Sequence, residues 1–452
     1  MPPAWSRIRA IESRLMSDSE PVVPSDAVAG EARAPWTMEN LPGGIAGRIA
    51  ASLILYPRYR LLWTSNLFFF AGLWTQTLVL GWLVFELTHS EFSVALFTAA
   101  RLAPLMFGPL SGVISDRFNR PKLLLAASAW AFCVLSGVSL LVAMDRITVA
   151  GLVFGGFCIG LAQSPSQPAR FTLAAELVGR KSLSNANALN SIVVSLTQVI
   201  GPALGGAMIA AFGATVALSI SALWYLAAFA TLWPLRNIEN GSETAENEPL
   251  TQLLATGFRA VSSNRMLATV LLITFAANIF LWPVYAGFMP VVAKEHLGLT
   301  PDGLGWLLAC AGAGGFTGSI VIAALGDFRF KGGLFVFGTA SWGVLWALFA
   351  LSSWVPLSFA LMALIGLAAS PFGILQTTLL LMMSEPHMQG RILGIQELAI
   401  GVMPISSLLL GSASEVIGIA HVALISGTLL ATAVVLLALR APALLRYSGH
   451  DS

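Results

Sequence analysis

Charge is what this sequence has least of. Only 10% of its 452 residues are Asp, Glu, Lys or Arg, against 56% hydrophobic residues and a mean hydropathy of +0.80. Soluble domains carry roughly 25% charged residues, so a polytopic membrane protein is the class that remains. Cysteine is also sparse: Cys133, Cys158 and Cys310 all sit in apolar runs, at no CxxC or metal-ligand spacing. That excludes a disulfide framework and reads as packing. The five histidines include no helix-face pair, which argues against metal chemistry. The sequence offers no nucleotide-binding loop and no nucleophile with its base, so an enzyme is not expected.

What the chain has is long apolar runs, twelve of them from Pro57 onward. The first six lie near 61–87, 92–115, 123–144, 148–169, 189–212 and 215–235. The second six lie near 267–292, 303–325, 333–351, 355–383, 393–416 and 420–440. Each is long enough to cross a bilayer as a helix. Residues 1–56 form an N-terminal extension with six prolines, read as mobile, with a basic amphipathic stretch at 5–16. It lacks the compact apolar core and small-residue cleavage site of a signal peptide. The segment 45–56 is too short to span and is placed along the interface. The remaining layout is a six-helix half at 57–235, a polar linker at 236–266 with a surface helix near 250–262, a second half at 267–440 and a tail at 441–452.

Charge placement sets the expected orientation. With both termini inside, twelve Lys or Arg fall in inner loops (Arg117, Arg120, Lys122, Arg170, Arg180, Lys181, Arg236, Arg259, Arg265, Arg329, Lys331 and Arg391) and two, Arg146 and Lys294, in outer loops. The positive-inside rule then puts both termini in the cytoplasm, and the plasma (inner) membrane is the expected location.

The two halves repeat in parallel. GLAQSP at 160–165 recurs as GLAASP at 366–371, an offset of 206, in the fourth span of each half. Asp116 pairs with Asp327, and Arg120 with Lys331, at an offset of 211. Gly213 matches Gly418 at 205. Ordered matches at nearly constant offset imply two six-helix bundles related about an axis along the membrane normal.

The stretch GVISDRFNRPK at 112–122 joins two spans in a cationic hairpin and resembles the signature loop between helices 2 and 3 of the major facilitator superfamily. Pro121 stands where the signature has its final base. The stretches 56–96, 100–110, 168–191 and QGRILGIQE at 389–397 are similar to the branch holding enterobactin-type siderophore exporters and macrolide efflux proteins. The resemblance implies an all-α fold of twelve membrane helices in two bundles around one cavity that opens alternately to either face. It further implies that Gly112, Asp116, Arg117 and Arg120 brace the halves in one state near Arg391, with Asp327 and Lys331 as a decayed second copy. Gly201, Pro202, Gly205 and Gly206 resemble the superfamily's antiporter motif; physically, the glycines permit close contact with a helix of the other half, and Pro202 kinks the span.

Intramembrane polar residues supply the candidate site. Arg101 lies about nine residues into the second span, so ~13 Å deep, where an arginine costs at least ~2.5 kcal/mol and should face the cavity or bond backbone carbonyls. Among carboxylates, Glu86 closes the first span, Glu176 lies in the inner loop before the fifth, and Glu397 sits about a turn inside the eleventh. The cavity-lining spans 1, 4, 7 and 10 of such a fold offer Asn66, Trp74, Gln76, Gln163, Gln167, Asn278, Trp282, Tyr285 and Gln376. Neutral amides with aromatics suit a bulky amphipathic ligand. The resulting expectation is a monomeric secondary exporter of drug- or siderophore-like small molecules, exchanging them for protons amid membrane lipid, with no cofactor and no nucleic-acid partner. A lysolipid carrier of the same fold and a non-transporting membrane sensor are the alternatives.

Overall fold

The computed structural model describes residues 51–107, 118–238, 250–325, 328–385 and 388–448. Among these, every regular element is helical. Ten stretches are long and apolar enough to cross a membrane. One of them, Asn185–Leu235, runs 51 residues but turns at Gly213, whose φ of 81° breaks it into two antiparallel spans. The second span of the chain contributes its described part, Glu91–Leu102, followed by a 3₁₀ turn at Ala103–Phe107. Together these make the twelve spans of the sequence pattern.

We number them α1 (Pro57–Thr88), α2 (Glu91–Leu102), α3 (Arg120–Ala143), α4 (Val149–Gly179), α5 (185–212), α6 (214–235), α7 (Arg265–His296), α8 (Pro301–Leu325), α9 (Lys331–Leu351), α10 (Val355–Met382), α11 (Gln389–Ile417) and α12 (Ile419–Arg440). The starts follow local chemistry. Ser90, Asn119, Thr148 and Asn264 each accept a hydrogen bond from a first-turn backbone N–H. Pro57, Pro121 and Pro356 occupy first-turn positions where a missing N–H costs nothing. In α7, Pro283 and Pro290 are accommodated by π-helical turns at Val284–Phe288 and Val292–His296.

The parallel repeat is visible as packing. Gly213 and Gly418, at φ 81° and 80°, make the same turn, α5 into α6 and α11 into α12. A Cβ on Gly160 would lie 2.0 Å from the Arg101 carbonyl oxygen of α2, and one on Gly366 1.8 Å from that of Ala311 in α8. Ser164 then donates to Pro104 O at 3.2 Å, and Ser370 to Gly315 O at 3.0 Å. The repeated hexapeptide is therefore a seam where the fourth helix of each half touches the backbone of the second.

Two features depart from the sequence expectation. The fourth span does not end near 169; α4 continues unbroken past Pro165 and Pro168 to Gly179. Arg170 and Glu176, expected in an inner loop, are thus helical, and Arg170 is 2% exposed. A membrane helix tolerates proline where neighbouring helices and local adjustment compensate the lost backbone hydrogen bond. Residues 51–56 are docked: Ser52 N donates to Asn185 Oδ1 at 3.0 Å and the Tyr56 hydroxyl lies 3.0 Å from Ser182 Oγ. Residues 1–50, including the amphipathic stretch at 5–16, fall outside the described residues. The linker helix Leu250–Ser263 lies against α11, where Gly257 meets Arg391 and Ile395. The helix at Pro442–Arg446 seals α9 at Gly332.

Candidate functional site

The linker helix marks one face of the bundle, and the α1–α2, α7–α8 and α11–α12 turns mark the far face. At the far face the halves are locked together. Gly206 of α5 packs on α8, with a Cβ there lying 2.3 Å from Pro301 O, and Gly305 returns the contact against Pro202 O. Gly287 of α7 meets Thr98, and Gly411 of α11 meets Ala95. Ser407 donates to Ala95 O at 3.2 Å, Ser90 donates to Glu415 at 2.7 Å, and Lys294 pairs with Glu86 at 2.7 Å. Small residues let these backbones approach without a polar vacancy.

Toward the linker face the halves diverge around a cavity of about 310 Å³. Helix α5 contributes Asn190, Ser191, Val194, Ser195 and Gln198, on one stripe of helical spacing. Across from it stand Trp282 and Tyr285 of α7, Trp342 of α9, Gly315 and Ser319 of α8, and Ile365 to Ile374 of α10. Trp282 is fixed edge-on to both Tyr285 and Trp342 at 5.8 Å between centroids. The rim residues Phe171, Ser191 and Ile374 are exposed. A concave, mostly apolar chamber with a few hydroxyls and amides suits an amphipathic organic molecule.

A second polar region lies inside the first half. Arg101 donates to Thr77 of α1, and Arg170 donates to Asn66 of α1 and lies 4.0 Å over the Phe69 ring. Asn66 Nδ2 in turn donates to Asn190 Oδ1 at 2.9 Å, so the Asn66–Asn190 pair links this region to the cavity wall. Tyr225 of α6 is fully buried beside the Gln163 amide and within electrostatic range of both guanidinium groups.

The other expected site residues are spread more widely. Trp282 and Tyr285 line the cavity; Trp74 borders only a small gap of about 20 Å³ near Pro202. Gln76 and Gln376 are buried in their bundles with unpaired amide atoms, and Gln163 and Gln167 are half-buried on α4. Asn278 bonds back to Thr274 O at 2.8 Å and receives Ser406 at its carbonyl. Gly201 and Gly205 pack on Trp74 and Thr75 of the same half, so of the antiporter-like glycines Gly206 alone reaches the other half. Glu397 is exposed, two turns into α11 and one turn before Gly401, which touches Leu105 and Met106 of the other half. Arg120 is buried and pairs with Glu176, bracing α3 on α4. Lys331 is also buried and donates to Ser448 O at 2.9 Å, and Arg391 contacts Met388 Sδ at 3.4 Å. Gly112, Asp116, Arg117 and Asp327 lie outside the described residues.

Sequence reasoning missed three things here. The polar stripe of α5 was legible in its spacing, Asn187, Ser191, Ser195 and Gln198 recurring every three to four residues. Arg170 was misplaced with the loops. Glu91, the first residue of α2, is 9% exposed at the far face beside Glu295 and Ser414.

The family model described as transmembrane secretion effector matches residues 53–446. The multidrug efflux pump Tap of Mycobacterium tuberculosis is 25% identical over 385 residues, 83% of this chain and 91% of that protein. The enterobactin exporter EntS of Shigella flexneri is 27% identical over 315 residues, 68% of this chain and 73% of that one. The crystal structure of the nucleoside transporter NupG superposes with a TM-score of 0.65 at 15% identity, covering 86% of this chain and 99% of NupG, a likeness of fold.

Proposed function

The chain belongs to the transmembrane secretion effector family of the major facilitator superfamily, and on that premise we propose that it exports bulky amphipathic small molecules, drug- or siderophore-like, across the plasma (inner) membrane. The observation that carries this reading is the cavity of about 310 Å³ between the halves, bordered by aromatics and neutral polar groups and sealed on its far side. A chamber of that lining binds organic surface by burial and orients it by a few hydrogen bonds. Transport then needs the far-face contacts to part while the linker face closes. The moving bodies are the halves at 57–235 and 267–440, and the linker face is cytoplasmic, where the basic residues collect.

We take protons as the driving ion and Glu397 as the carboxylate best placed to carry them, because it is exposed on α11 one turn before Gly401, which meets the turn that follows α2. The protein works by binding and release rather than bond chemistry, as a monomer. The relatives that pump drugs and enterobactin support the cargo class. The test is accumulation of a fluorescent dye panel in everted vesicles under an imposed pH gradient. Gradient-dependent accumulation of amphipathic dyes supports export; identical traces in vesicles with and without the protein overturn it.

A further inference from the structure

Two guanidinium groups are buried in the first half without an acidic neighbour. Arg101 is 6% exposed and Arg170 2%, and among the described residues neither lies within ion-pair reach of a carboxylate. Neutral hydrogen bonds to Thr77 and Asn66 and the Phe69 ring face engage only part of each fork. A desolvated charge left in this way is among the more expensive arrangements in a membrane helix bundle.

The unused atoms have a pattern. Arg170 commits Nη1 to Asn66 and leaves Nε and Nη2 without a partner, which is the side-on edge that takes a planar two-oxygen anion. Arg101 Nε, Gln163 Nε2 and the Tyr225 hydroxyl are likewise unpaired and buried. All of these are donors, and Arg170 lies over the Phe69 ring, which packs edge-on against Tyr225 at 5.3 Å between centroids. Thr77 and Asn66 stand eleven residues apart on α1, so the two guanidinium groups are held at opposite ends of a ~16 Å stretch of helix and one carboxylate meets only one of them. The Asn66–Asn190 amide pair separates the cluster from the cavity by a single layer of side chains.

We propose that the free Nε–Nη2 edge of Arg170, beside Tyr225, forms a carboxylate-binding pocket, reached from the cavity past Asn190, and that the exported molecule carries an organic carboxylate which docks there. The cargo clause rests on the export reading; the pocket itself does not. An anion placed on the Nε–Nη2 edge of Arg170 supplies the missing counter-charge, while the rest of the molecule stays in the aromatic chamber. Binding of the carboxylate is coupled to displacement of Asn190, so an occupied pocket changes the cavity wall.

The experiment uses the full chain purified into lipid nanodiscs, with benzoate as probe and benzamide as its neutral isostere, at pH 7 and fixed sodium chloride. Thermal melting is followed for wild type, Arg170→Gln, Arg170→Lys and Arg101→Gln. The pocket predicts that benzoate raises the melting temperature in a saturable manner and benzamide does not. Arg170→Gln should weaken the benzoate response at least tenfold, Arg170→Lys should retain part of it, and Arg101→Gln, at the other end of the helix, should leave it unchanged. It also predicts that Arg170→Gln without benzoate melts no lower than wild type, because an uncompensated charge has been removed. Equal responses to benzoate and benzamide, or a benzoate response unchanged in Arg170→Gln or weakened as much in Arg101→Gln, overturns the pocket. An Arg170→Gln variant that melts well below wild type makes that arginine structural and overturns it too. The dye panel in everted vesicles is read separately: dye export with no benzoate binding removes the pocket and leaves the export reading, and benzoate binding with no dye export does the reverse.

Discussion

Gly206→Ala is the substitution whose consequence can be worked most directly from the fold. Its Cβ would sit 2.3 Å from the Pro301 carbonyl oxygen and 3.1 Å from the Asp302 and Gly305 Cα atoms. Those are backbone atoms, so no side chain can rotate away, and α5 and α8 must separate by roughly 1 Å to restore van der Waals contact. Overpacking of this kind costs about 1–3 kcal/mol. The contact exists only while the far face is closed, so the cost falls on one conformation and shifts the equilibrium away from it roughly 5- to 150-fold. Spin labels at Leu87→Cys on α1 and Val416→Cys on α11, both exposed, would report the far-face separation. Gly206→Ala should add a longer-distance population. Gly137→Ala on α3, where nothing lies within 4 Å, should leave the distances alone and stabilise its helix by about 1 kcal/mol. A Gly206→Ala distance distribution identical to the parent's would refute the argument.

The Lys294–Glu86 pair is half-exposed, so Lys294→Gln should shift closure by no more than ~1 kcal/mol and less at high salt; a larger, salt-insensitive effect would mean the pair is a principal latch. Asp116→Asn should insert normally yet slow turnover sharply, on the strength of the loop's resemblance; unchanged export kinetics in a well-expressed variant would count against a gating role.

The twelve spans were legible because a membrane helix announces itself by uninterrupted apolar length, and the repeat because identical packing seams demand the same small residues. The far end of α4 was not, since Arg170 and Glu176 look like loop residues until their partners Asn66 and Arg120 are known. The cavity shows the same limit. Fold-level reasoning named the first, fourth, seventh and tenth spans, whereas the open chamber is bordered mainly by α5, α7, α8 and α10, with Asn66 and Gln163 facing into their own bundle instead. Helical period gives which residues share a face; it does not give which helix that face meets. Gly201 and Gly206, five residues apart on α5, touch different halves for that reason.

The central claim is that cargo passes through the chamber between α5 and α10, and one residue of its wall tests it most directly. Ser195 is half-buried on the polar stripe of α5. In a background where Cys133, Cys158 and Cys310 are replaced, Ser195→Cys would be reacted with a bulky maleimide in everted vesicles, and labelling and dye export would be followed together. The account predicts that an exported dye slows the labelling and that complete labelling abolishes export. Full export from a completely labelled protein would contradict it.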